Sequence, residues 1–151
     1  MNLKASLRPL ALLGLATPAL CFAALGGDVS SVQNDRINMK ASQPVANKAV
    51  GYTMHEMTTQ TGTVVHEYEG ADGKVFAVTW KGRVPPDLHQ LMGKYFDTFV
   101  NAKPINRTGH SHLMIRRDDL VVTARGHMRA FSGVAYLPGT LPVGMKEQDI
   151  Q

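Results

Sequence analysis

His110 and His112 lie two residues apart, so on a strand both imidazoles project from one face. Such a pair suits zinc or copper, but a site needs a third ligand. His66 or Glu67 can supply it only if the fold brings them close. His55-Glu56 and His66-Glu67 form a second constellation. If their segments pair across a turn at Gly62, an acid meets an imidazole on each face. That contact serves proton transfer, or it sets strand register. Glu56 or Glu67 can instead meet Arg125 or Arg129 as a partly buried ion pair. The third constellation is Gly126-His127-Met128-Arg129-Ala130-Phe131-Ser132-Gly133. A turn at Gly126 would leave His127, Arg129 and Phe131 on one face of a strand. An arginine between them can grip an anionic group through paired hydrogen bonds. Ser132 has no base beside it, so nothing but residue type supports a nucleophile. The candidate ligand or partner contacts are therefore His55, Glu67, His127, Arg129 and Phe131, and the candidate metal pair is His110 and His112. No motif calls for a cofactor. No nucleophile–base pair or metal triad marks an enzyme.

These residues need a scaffold, and the hydrophobic pattern predicts one. Residues 25–41 read as a helix capped by Asp28 or Ser30, with a modest stripe of Val29, Val32, Arg36 and Met39. Residues 41–51 read as a loop. Strands are expected at 52–59, 63–69 and 75–81, with Gly70-Ala71-Asp72-Gly73 as a tight turn between the last two. The third strand is apolar on both faces, which predicts a central position. Its alternation puts Phe76, Val78 and Trp80 on one face, opposite Val75, Ala77 and Thr79.

Pro85-Pro86 ends that strand. Residues 87–102 form the clearest helix, with Leu88, Leu91, Met92, Tyr95, Phe96, Phe99 and Val100 at helical spacing. Further strands are expected at 110–117, 120–125 and 128–137. The order is α-β-β-β-α-β-β-β, with short antiparallel hairpins. The expected fold is an α+β two-layer sandwich, in which an antiparallel sheet of about six strands carries two helices on one face. Phe76, Trp80, Tyr95, Phe96 and Phe99 are expected to form the core, or else to line an apolar groove between helix and sheet.

The first residues bear on location. Lys4 and Arg8 precede an apolar run from Leu10 to Leu20, and Cys21-Phe22-Ala23 places small residues at the −3 and −1 positions of a cut. That order is expected of a signal peptide spanning 1–23, which predicts export to the periplasm or medium. The run is too short to cross a bilayer as a helix. Cleavage would remove Cys21, the single cysteine, so residues 24–151 would fold as one disulfide-free domain. It would also take Lys4 and Arg8 from the 16 basic residues, leaving 14 against 12 acidic ones, so the formal charge falls from +4 to +2. The remaining cations are scattered in sequence. Nucleic-acid binding wants a clustered basic face with stacking aromatics, and this pattern argues against it. No later segment is long and apolar enough to span a membrane.

Several segments together carry a resemblance. They are Ala24-Leu25-Gly26-Gly27, Tyr52-Thr53-Met54-His55-Glu56, Gly62-Thr63-Val64-Val65-His66-Glu67-Tyr68, Gly73-Lys74-Val75-Phe76-Ala77-Val78-Thr79-Trp80, Pro86-Asp87-Leu88 and the segment 126–133. In this order they resemble a family of small exported bacterial proteins catalogued as domain of unknown function 2844. The resemblance implies an exported, cysteine-poor single domain and implies no activity. The expected function is a non-enzymatic exported module that binds a partner protein or an envelope component. The alternative is a carrier of a small ligand or a metal.

Overall fold

The computed structural model describes residues 25–103 and 112–150. Seven antiparallel strands form one sheet in the order β1-β2-β3-β4-β7-β6-β5, where β1 is Val45–Ala49, β2 Tyr52–Thr58, β3 Val64–Gly70, β4 Val75–Gly82, β5 His112–Arg116, β6 Val121–His127 and β7 Ala130–Tyr136. The first four strands meander, and the last three meander back from the far edge. The two halves meet where β4 pairs with β7. The described α-helices pack on one face, so the α+β class holds, with seven strands instead of six.

The extra strand is β1, in the segment expected to be a loop. All five of its residues are exposed, so it carries no alternating burial that a sequence pattern could register. Its outer edge bears Lys48, a common protection of sheet edges.

The first helix is shorter than expected. Leu25 and Gly26 instead bond to the backbones of Leu91 and Val75, and α1 is only Val32–Asn38, entered through a 3-10 turn. Asp28 caps that turn by accepting from the backbone N–H of Ser30 at 2.9 Å. The long second helix is broken into α2 (Leu88–Met92), a 3-10 turn, and α3 (Phe96–Asn101). Gly93 takes φ 47° at the break, a left-handed conformation that costs glycine least. The break lets Leu91 and Met92 bury completely while Phe96 and Phe99 still reach the core.

The apolar residues separate into two clusters on the two faces. Beneath the helices Val65, Val78, Trp80, Ile115, Val122 and Ala135 pack with Val32, Leu91 and Met92. On the other face Tyr68, Phe76, Ala77, Val121 and Tyr136 are covered by Ile150, Leu141 and Met145 of the C-terminal arm. Strict alternation predicts Phe76 on the Trp80 face. A β-bulge intervenes: Tyr68 pairs with Ala77 but Glu69 pairs with Val75, so Phe76 is an extra residue and shifts to the opposite face.

Asp87 caps α2, accepting from the Gln90 backbone N–H at 3.0 Å. Asp87→Ala is expected to destabilise the fold by about 1 kcal/mol. A thermal midpoint lowered by a few degrees checks this. An unchanged midpoint would mean that packing alone holds the short helix.

Candidate functional site

The polar residues of the sheet divide between its faces, and register decides the division. β2 and β3 pair so that His55 lies opposite Glu67 and Glu56 opposite His66. An acid–imidazole pair does form on each face, though not with all the expected partners. On the helix-free face His66 Nε2 lies 3.2 Å from Glu56 Oε2. On the helix face His55 Nε2 lies 2.9 Å from Glu69 Oε2, the diagonal neighbour, and not from Glu67.

Glu67 turns instead towards α1. It and Asp35 are both completely buried. Asp35 accepts a hydrogen bond from the Gln90 side-chain amide of α2. No N–H or hydroxyl among the described residues satisfies either Glu67 oxygen or the second oxygen of Asp35. The two carboxyls face each other and close with a hydrogen bond only when one is protonated. Burial pushes Asp35 up to about 7, against the opposing hydrogen bonds from Gln90 and Glu67. Burial pushes Glu67 well above the usual carboxylate range, reinforced by the charge of Asp35 and by the hydrogen bond to it. The expected ion pair of Glu67 with Arg125 or Arg129 is absent among the described residues. Full burial keeps solutes from this pair, so it holds a proton without presenting it to a substrate.

The Gly126 segment is arranged differently from expectation. Gly126 lies within β6, opposite Phe131, and the turn falls at Met128-Arg129. Arg129 takes φ 61°, and Met128 is almost wholly exposed at the tip. His127 is at the end of β6 and Phe131 is on β7. Strand alternation puts them on opposite faces, with Arg129 between them at the hairpin end. The three do not share a face.

Of the metal candidates, only His112 falls within the described residues. His110 lies outside the described residues. His112 begins β5 opposite Arg125. His66, on β3, is four strands away, about 19 Å at the usual strand spacing. Among the described residues no three His, Cys, Asp or Glu side chains are placed to hold a metal.

What the fold does assemble is a groove on the helix-free face, beside the C-terminal arm. It has a volume of about 600 Å³ and runs over Val64, Thr79, Thr123, Ser132 and Val134, with Lys81 and Arg125 on its rim and Ile150 closing one end. A second hollow of about 570 Å³ adjoins it at the strand ends, sharing Lys81 and Ser132 and adding Arg83, Arg129 and Phe131. The register explains the alignment. Val64, Lys81, Ser132, Arg125 and His112 are paired in succession across β3, β4, β7, β6 and β5. They form one row perpendicular to the strands. The next row inward is His66, Thr79, Val134, Thr123 and Met114. Among the described residues no Asp or Glu lines either hollow. Lys81, Arg83, Arg125 and Arg129 form no ion pair among the described residues.

The sequence pattern singles out Arg129 and Phe131 here but passes over Lys81 and Arg83. A lysine ending a strand otherwise apolar on both faces was the available signal. The pattern also passes over Asp35 and Gln90. The stripe through Val32 and Met39 fits Asp35 as well as Arg36, and a carboxyl on the inner face of a helix was the signal there.

Among the described residues no helix is long and apolar enough to cross a membrane. No curated protein and no solved structure matches the chain. A family model described as a protein of unknown function (DUF2844) matches residues 21–150. With nearly its whole length matched by that model, this α+β chain belongs to the DUF2844 family.

Proposed function

We propose that this chain is an exported, non-enzymatic binding module whose ligand surface is the uncovered half of the helix-free sheet face. One observation carries the reading: among the described residues, four cations without carboxylate partners line two adjoining hollows whose linings contain no Asp or Glu. Unbalanced charge beside an apolar floor is unfavourable for stability and is what an anionic ligand would complement. The acid–imidazole pairs are spent on each other, and the one strongly perturbed acid pair is sealed from solutes, so neither supports catalysis. Export rests on the charged, apolar and small-residue order of residues 1–23. The ligand belongs, on this reading, to the cell envelope. The sheet face is preferred over the β1 edge as the contact surface, because that edge is short and carries Lys48.

Expression of the full sequence tests the first half. The species that accumulates should lack residues 1–23 by mass and fractionate with the periplasm or medium. A full-mass species retained in the cytoplasm would refute export. The second half is tested by charge reversal. Lys81→Glu with Arg125→Glu should abolish retention of envelope-derived anionic material that the parent retains, while leaving the thermal midpoint within a few degrees, since both side chains are exposed. Equal retention by both proteins would dismiss the sheet face.

A further inference from the structure

We infer that the groove takes a single-chain amphiphilic anion: an acyl chain ending in a carboxylate or a phosphate. This rests on the binding-module reading and names the chemistry of its ligand. The two hollows differ in character along one line. The inner part is lined by Val64, Val134, Thr79 and Thr123, with His66 beside Thr79 and Ile150 also in its wall. The outer part brings Lys81, Arg83 and Arg129 together at the strand ends, with no acid among its lining residues. Lys81 and Ser132 belong to both, so a ligand can pass from one to the other without leaving the protein surface. An apolar body with one anionic head matches this order, with the head among the outer cations and the chain directed at Ile150. Arginine pairs with planar carboxylate or with phosphate by two parallel hydrogen bonds, and lysine adds a point charge. The volume lies within the range of small-molecule sites, about 300–1,000 Å³.

Other anions fit less well. A peptide strand gains affinity by main-chain hydrogen bonds. The floor offers none, because each of β3, β4, β7 and β6 is paired with a neighbouring strand on both sides. An acyl chain needs no such partners. A nucleic acid wants exposed aromatics to stack on its bases. Trp80 borders the groove but is buried, its indole lying against Gly133. Inorganic phosphate would leave the apolar floor uncovered.

The test uses the protein as it accumulates from the full sequence, titrated calorimetrically with five probes: dodecanoate, dodecyl phosphate, dodecyltrimethylammonium, inorganic phosphate and a short Glu-rich peptide. Dodecanoate and dodecyl phosphate should bind, with the stronger of the two identifying the head. The cationic amphiphile and inorganic phosphate should bind at least about tenfold more weakly. Lys81→Gln with Arg129→Gln should weaken the anionic amphiphiles about tenfold or more, and Val134→Ser should weaken them while leaving head preference unchanged. Equal binding of the cationic amphiphile would overturn the assignment of an anionic head. Binding of the Glu-rich peptide alone, lost in the double variant, would overturn the ligand class while sparing the binding face. Failure of every probe to bind, or binding unaffected by the double variant, would overturn the class and the proposed face together.

Discussion

Raising the pH from about 5 to about 8 is expected to lower the unfolding free energy by about 1–3 kcal/mol through the Asp35–Glu67 pair, and Glu67→Gln should remove the share of that loss that belongs to Glu67 while Asp35 keeps its own. Both carboxyls have raised folded-state values, chiefly from burial. A carboxyl of this kind contributes its stability fully below the unfolded value, near about 4. The contribution is lost as pH rises through the folded value, about 7 for Asp35. Stability should therefore fall with rising pH across that interval, the reverse of a salt-bridged carboxylate.

Glutamine at 67 keeps the shape and supplies a permanent N–H donor to Asp35, where the native acid must be protonated to donate. The variant should match the parent within about 0.5 kcal/mol near pH 5 and exceed it by about 1–2 kcal/mol near pH 8. Urea unfolding of both proteins across that interval checks it, because the difference between the two curves cancels the titrating groups that do not touch this pair. Parallel curves would mean that the pair does not exchange a proton on folding. Asp35→Asn is the reciprocal variant, retaining the Gln90 contact through its side-chain oxygen.

How much of this was legible in the residues depends on whether the information is local. The strands β2, β3 and β4 follow from alternation and from the Asp72-Gly73 turn, and they lie within a residue or two of the expected bounds. The exposed edge strand β1 did not follow, because its pairing with β2 is written in no apolar pattern of its own. The bulge at Phe76 defeated strict alternation by adding one residue, and that moved a large side chain from one core cluster to the other. A break at Gly93 interrupted a pattern that is helical in spacing but not in backbone.

The candidate site divides in the same way. His55, Glu56, His66 and Glu67 were visible as cross-strand partners only in the sense that their spacing permits it. The register was needed to choose Glu69 for His55 and Asp35 for Glu67. The groove is less local still. Lys81 and Arg83 are far in sequence from Arg125 and Arg129, and the long-range pairing of β4 with β7 brings them together. Scattered cations looked like a solvated surface because nothing in the one-dimensional order marks that pairing.

Gly133→Ala is expected to destabilise the protein by about 2–3 kcal/mol, a large effect for one methyl group. Gly133 on β7 lies directly opposite Trp80 on β4. A Cβ there would stand 2.2 Å from Trp80 Cζ2 and 2.6 Å from Cε2. The indole is buried among Val78, Leu91, Met92 and Ala135 and has nowhere to retreat. Relief must come from the β4–β7 pairing, the seam between the two halves of the sheet, so the strain falls on the contact that creates the groove. A double-mutant cycle isolates this cause. Trp80→Leu alone opens a cavity and costs about 2–4 kcal/mol. In the Trp80→Leu background the added methyl should cost less than about 1 kcal/mol, or even fill space, giving a coupling of at least about 1 kcal/mol. Additive losses would show that the methyl is resisted by the backbone and not by the ring. Because Lys81 and Ser132 neighbour this pair and form the rim, Gly133→Ala should also weaken ligand binding at temperatures where the variant is still fully folded, which separates deformation of the groove from loss of the fold.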